Sequence, residues 1–261
     1  GRPAMNTQIM TPARPKTRLF VDATLEAGAQ VSLLKDQAHY VSRVMRQDVG
    51  ASALLFNGHD GEWLAHISSI SKTQCQLSLE AQTRQQQSEP DIWLVFAPIK
   101  KSRMDFMIEK ATELGASRLL PVFTRNTDVS RVNVERLQAT ALESAEQCER
   151  LNVPQVDKAV DLDNLIRDWD PSRQLYIMDE TGTGNPAIPA FSSLSQPGKP
   201  AAILIGPEGG FTASELDQLR DLAFVTPVTL GPRVLRAETA ALTALASWQV
   251  FQGDGCAARM R

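Results

Sequence analysis

Between residues 203 and 215 an apolar run gives way to Gly206-Pro207-Glu208-Gly209-Gly210 and then to Phe211-Thr212-Ala213-Ser214-Glu215. Three glycines within five residues leave backbone N–H groups uncovered by side chains and allow positive φ. Such a loop can hold a ligand through main-chain amides and carbonyls. Its spacing is neither GxxxxGK(S/T) nor GxGxxG, and the Glu208 carboxylate would repel a phosphate. A ligand with positive charge, or one read by the backbone, suits it better; a tight turn with no ligand is the plain alternative. A second marked loop, Leu230-Gly231-Pro232, leads into Arg233 and Arg236, and Arg103 and Arg125 lie upstream. The histidines (His39, His59, His66) all precede residue 67, so a Ser-His-Asp or Cys-His set cannot form in the remainder. They also lack metal-ligand spacing, and no HExxH or cysteine pair accompanies them, so no metal is expected. Glycine loops flanked by arginines fit a reaction that needs positioning and charge more than a protein nucleophile. Methyl transfer from a sulfonium donor is one.

The elements that must present these residues follow from the pattern. Residues 201–205 are an apolar run of strand length, and Thr212 with Glu215 makes a capping box, so the order is strand, glycine loop, helix. In an open α/β sheet that junction is where ligands bind. From residue 91 strands are expected at 92–97, 118–122, 175–178, 201–205 and 227–230. Helices are expected at 103–114, 135–148, 212–222 and 237–251. This predicts a parallel sheet with helices on both faces. The last helix is apolar nearly all round, which asks for burial on more than one side, as a subunit interface would provide.

The region before it reads differently. Short strands are expected at 19–21, 31–34, 53–56, 63–70 and 75–79, with a hairpin-like turn at Asn57-Gly58-His59-Asp60-Gly61. One helix, with Asp36 as its expected N-cap, runs toward Gly50. Together these suggest a small closed β-barrel. His39, Arg43 and Arg46, spaced i, i+4, i+7, would share a helix face able to hold phosphates, or would simply form a solvated face. Residues 82–89 are polar and glutamine-rich, ending at Pro90, and read as a linker between domains at 17–82 and 90–256.

Composition sets the frame. The 261 residues, 43% hydrophobic and 22% charged, suit a soluble globular protein, and a net charge of −3 confines any nucleic-acid contact to local patches. Cys75, Cys148 and Cys256 are odd in number and unpaired in spacing, which fits a reducing, cytoplasmic setting. No apolar run reaches membrane-span length, and residues 1–16 do not have a secretory-signal pattern. Gly1-Arg2-Pro3-Ala4, ahead of Met5, is expected to be extraneous to the fold.

Residues 205–212 (IGPEGGFT) with 230–240 (LGPRVLRAETA) resemble the SPOUT methyltransferases, and within them the RsmE family. Residues 100–115 (KKSRMDFMIEKATELG), Arg125-Asn126-Thr127, residues 143–148 with Arg150 and Pro154, and residues 39–46 (HYVSRVMR) resemble the family as well. The resemblance covers nearly the whole chain from Arg18. It implies a PUA-like β-barrel followed by an α/β domain whose last segments thread a deep trefoil knot, otherwise almost absent from proteins. It implies S-adenosylmethionine as methyl donor, N3 of a 16S rRNA uridine in the small ribosomal subunit as acceptor, and a homodimer with the donor site beside the subunit interface.

Carried to this sequence, the resemblance places donor contacts at Met178 and Glu180, at Ile205, Gly206, Pro207, Glu208, Gly209 and Gly210, and at Leu230, Gly231, Val234 and Leu235. Arg125, Arg233 or Arg236 would stabilise the uracil anion, and Glu208 or Glu238 would take the N3 proton. Glu238 also fits a first-turn carboxylate favoured by its helix dipole. Arg18, His39, Arg43, Arg46, Lys100 and Arg103 are the expected RNA contacts, with Asp105 an alternative partner for Arg103. A methyltransferase for another RNA, or a non-catalytic assembly factor, would be the rival roles.

Overall fold

The computed structural model describes residues 13–181, 184–192 and 198–259. Residues 1–4 lie outside that range. The chain parts into two compact units between Gln85 and Gln86.

The first unit holds β1 (Thr17–Phe20), β2 (Gln30–Ser32), α1 (Lys35–His39), β3 (Ser52–Phe56), β4 (Glu62–Ile70) and β5 (Cys75–Arg84). Its sheet runs in the order β1-β3-β4-β5-β2, with β1 parallel to β3 and the other pairs antiparallel. No hydrogen-bonded ladder joins β2 back to β1 among the described residues. The expected ring is closed instead by side chains: Leu19 and Val21 share one core with Val31, Leu33 and Leu77. The β3–β4 turn is an Asx turn, the Asn57 Oδ1 accepting from the N–H groups of His59 (2.9 Å) and Asp60 (2.8 Å).

Two local expectations need correction. Asp36 lies in the first turn of α1, whose N-cap is Leu34 without a side-chain bond. The helix then widens into a π-helical turn, Tyr40–Val44, and ends before Arg46, which has φ +50°. Also, β5 runs on to Arg84, past the expected end at 79 and into the expected linker. Ladder bonds do not depend on side-chain polarity, so glutamine-rich composition hid a paired strand.

The second unit continues with β6 (Ile92–Phe96), α2 (Lys101–Glu113), β7 (Arg118–Phe123), α3 (Val134–Gln147), β8 (Gln155–Val156) and β9 (Val160–Asp161). Then come α4 (Leu162–Arg167), β10 (Gln174–Met178), β11 (Asn185–Pro186), α5 (Ala187–Phe191) and β12 (Ala201–Ile205). It closes with α6 (Ala213–Arg220), β13 (Val225–Thr229) and α7 (Ala237–Gln252). The strand order is β11-β13-β10-β12-β6-β7-β8, all parallel, with β9 beside β7. β12 is buried along its whole length, as a central parallel strand must be. Its alternate residues face opposite ways. Ala201, Ile203 and Ile205 join a core with α2, α3 and α7, while Ala202 and Leu204 join another with α4 and α6.

α2 stops at Gly115 (φ +85°), where a Cβ would meet Gln249 Nε2 at 2.6 Å; that same amide donates to Leu114 O at 2.9 Å. Arg150 donates to Thr112 O and Ala116 O, both at 2.9 Å, answering carbonyls at the same helix end. α7 buries Ala241, Ala244, Leu245 and Trp248 on one side and leaves Val250 exposed. No described helix is long and apolar enough to cross a membrane.

Candidate active site

Parallel register brings the carboxyl ends of five strands to one edge. Ile205 pairs with Phe96, Phe96 with Pro121, Leu204 with Ile177, and Met178 with Val228. The loops after β6, β7, β10, β12 and β13 therefore leave the sheet side by side.

The loop after β12 is the centre of the group. Gly210 N donates to Pro207 O at 2.9 Å, and Gly210 has φ +75°. A Cβ on Gly206 would meet the Phe211 ring at 2.9 Å, and one on Gly209 the Asn126 Cβ at 3.2 Å. The three glycines thus answer three different constraints. The expected capping box is complete: Glu215 N donates to Thr212 Oγ1 at 3.1 Å and Thr212 N to Glu215 Oε1 at 2.9 Å.

Neighbouring loops tie into this one. Asn126 Nδ2 donates to the carbonyls of Gly209 (3.2 Å) and Gly210 (3.1 Å), and Arg125 N donates to Glu215 Oε2 at 3.1 Å. Glu180 Oε1 accepts from Phe211 N at 3.2 Å. The Glu208 carboxylate pairs with the Arg103 guanidinium. Beneath them, buried Asp179 accepts from Thr181 Oγ1 (2.6 Å) and from Arg220 Nη2 (2.5 Å). Burial pushes the Asp179 carboxyl up, but the Thr181 and Arg220 hydrogen bonds and the Arg220 charge outweigh it and hold it below the usual carboxylate range. Glu238, in the first turn of α7, is only 8% exposed, and its Oε2 has no hydrogen-bond partner among the described residues. A buried carboxylate oxygen without a donor is costly.

A family model for the RNA methyltransferase domain matches residues 86–249, and one for the RNA methyltransferase PUA domain matches residues 33–80. The chain belongs to the ribosomal RNA small subunit methyltransferase E family. The Rickettsia conorii member is 35% identical over 92% of this chain and 97% of its own length, and the Synechocystis member 33% identical over 88% and 76%. The Neisseria gonorrhoeae member, solved bound to S-adenosyl methionine, superposes with a TM-score of 0.82 at 26% identity, covering 91% of this chain and 98% of that one.

Within this methyltransferase E fold, Glu180, Gly206, Pro207, Glu208, Gly209 and Gly210 come together at the sheet edge, and the loop bearing Leu230 and Gly231 leaves beside them. Met178 and Ile205 have their side chains in the core, so only their backbone can face a ligand. Leu230 and Leu235 are half-buried, and Arg125, Arg233 and Arg236 are exposed without an ion pair among the described residues. Lys100 is exposed at the N-cap of α2.

Several expected site residues have surroundings that the sequence did not suggest. Val234 is 97% exposed, so its side chain packs against little of this chain. Arg103 is committed to Glu208, and its alternative partner Asp105 is taken by Arg136. Arg18 has a 7% exposed side chain, bonded to Glu62 Oε2 at 2.8 Å and lying 4.1 Å from the Phe56 ring centroid, so it braces the first unit. His39, Arg43 and Arg46 are exposed, and the π turn and the positive φ of Arg46 change the alignment that the i, i+4, i+7 spacing predicts.

Sequence reasoning placed Asp179 in a donor loop (178–180) and Asn126 in a family-like segment, but missed their structural bonds, Glu215 as an inter-loop tie, and Arg220. Asp179 had a signal, an acid at the very end of an apolar strand. Arg220 had none, because its partner lies 41 residues away.

Proposed function

We propose that this chain transfers a methyl group from S-adenosylmethionine to N3 of a uridine in 16S rRNA, giving 3-methyluridine. The observation that carries the reading is the Gly206–Gly210 loop at the carboxyl edge of the sheet, bare of side chains at three positions, held by Asn126 and flanked by Phe211 and Thr212, whose N–H groups Glu180 and Glu215 hold. Donor chemistry suits the residues present. Glu180 and Glu208 bring negative charge to the glycine loop, as a cationic ligand requires, and Glu238 is a buried carboxylate in the first turn of α7. When bound, S-adenosylmethionine supplies an electrophilic methyl on a sulfonium. The backbone of residues 178–180, 205–210 and 230–235 would hold it.

The chain's own residues then have two tasks. Uridine N3 is a weak acid and must lose its proton to become a good nucleophile. Arg236, Arg233 or Arg125 stabilises the resulting anion at the uracil oxygens, and Glu238 accepts the proton directly or through water. The target base must be unstacked for N3 to be reached. The first unit, through His39, Arg43 and Arg46, and Lys100 in the second would hold RNA phosphates. The half-open side of α7 and the bare Val234 are supported as surfaces of a homodimer, and sedimentation should give twice the chain mass. A threaded chain and a cytoplasmic setting, with the small ribosomal subunit as partner, belong to the same reading.

Labelled S-adenosylmethionine incubated with purified small subunits, and separately with naked rRNA, tests it. 3-Methyluridine in either establishes the reaction. No label with retained donor binding points to another RNA, and absent donor binding favours an assembly role.

A further inference from the structure

A capping box needs one oxygen of its glutamate, and the other ordinarily faces water. Glu215 departs from this. It is 6% exposed; Oε1 accepts from Thr212 N at 2.9 Å, and Oε2 accepts from Arg125 N at 3.1 Å, from a loop 90 residues earlier. The next residue of that loop, Asn126, donates to the carbonyls of both Gly209 and Gly210, and its Cβ stands 3.2 Å from where a Gly209 side chain would begin. Three hydrogen bonds from two adjacent residues therefore clamp the loop after β7, two of them to the glycine loop and one to the first turn of α6.

We propose that Glu215 is a positioning residue for methyl transfer: its carboxylate sets the place of Arg125 against the loop that holds the donor. The proposal deepens the methyltransferase reading and rests on it. The site demands an acceptor-only group with two oxygens. Glutamine would turn an NH2 toward one of two backbone N–H groups, leaving one donor buried and opposed, and aspartate is a methylene too short to reach both. The geometry also makes Asn126 the second half of the clamp.

The test compares wild type, Glu215→Gln, Arg125→Ala and the double variant for kcat with rRNA and for S-adenosylmethionine affinity by calorimetry. Hydrogen exchange of residues 124–127 is followed in the same proteins. Glu215→Gln should lower kcat about tenfold or more with donor affinity nearly unchanged, and should speed exchange of that segment. Thr212→Ala removes the cap but keeps the Arg125 bond, so it should leave that exchange unchanged. In the Arg125→Ala background Glu215→Gln should cost no further rate, because its effect runs through Arg125. Equal loss in both backgrounds, or unchanged exchange in Glu215→Gln, overturns the proposal. So does wild-type kcat in Arg125→Ala, which would leave the methyltransferase reading standing. If Glu215→Gln does not fold, Asn126→Ala should give the same faster exchange, and failure to do so overturns the clamp. An absence of methyl transfer in wild type defeats the reading instead, and the exchange measurement still decides whether the clamp exists.

Discussion

At the scale of single residues, Glu238 and the arginines carry the sharpest predictions. If Glu238 takes the N3 proton, Glu238→Gln should depress kcat steeply while the donor still binds. If it serves only as a first-turn carboxylate, stability should change by about 0.3–1 kcal/mol and kcat should hold. Measuring both on one preparation separates the two roles. Arg236→Ala should cost on the order of 100-fold in rate with donor affinity little changed, as loss of a donor to a developing anion does. The glycines offer a contrast. Gly210 has φ +75° and its Cβ would sit 2.6 Å from Glu180 Oε1, the oxygen bonded to Phe211 N. Gly210→Ala combines strain of about 1–2 kcal/mol with displacement of that carboxylate, so donor affinity measured by calorimetry should fall about tenfold. Gly231 has φ +100° and open space around its Cβ, so Gly231→Ala should add strain alone and cost less binding.

Among the elements, α6 is the one whose placement decides most. Its capping box fixes where the helix starts, its N-terminal glutamate reaches Arg125, and its last residue, Arg220, holds Asp179. Thr212→Ala should lower unfolding stability by about 1 kcal/mol, measured by denaturant titration, because Glu215 N loses its acceptor. The π turn after α1 shows the opposite relation between pattern and element. Helical spacing of His39, Arg43 and Arg46 was readable, but Met45 N bonds to Tyr40 O, five residues back, and the widened turn changes which side chains align.

For the molecule as a whole, each unit has its own core, and their polar supports differ. Glu62, with a 0% exposed side chain, receives Arg14 at 2.9 Å, Arg18 at 2.8 Å and Thr83 at 2.9 Å. Burial pushes its carboxyl up, while the Arg18 and Thr83 hydrogen bonds and the arginine charges hold it, on balance, below its ordinary value. A folded-state pKa below the unfolded one means the contribution is complete above roughly pH 4.3 and is lost as pH falls through the lower folded value. Calorimetry should therefore show the first unit losing stability on acidification below about pH 4. Glu62→Gln should flatten that dependence. Arg18→Ala should destabilise the unit by about 3–5 kcal/mol, since it strips a partner from a buried charge.

The sequence by itself determined the α/β class of the second unit, the capped helix after the glycine loop and the main strands, because apolar periodicity and turn chemistry are local properties. IGPEGGFT and LGPRVLRAETA likewise made the family legible. Local pattern could not supply partners across long separations. Arg18 read as an RNA contact, and Arg103 as an RNA contact or a partner of Asp105, until folding placed them beside Glu62 and Glu208. The second bond of Glu215 joins positions 90 residues apart. The short β8, β9, β11, α4 and α5 hold their form through packing and ladder bonds to distant segments. Only the tertiary structure decided these, because a charge's role depends on which opposite charge burial brings within hydrogen-bond reach.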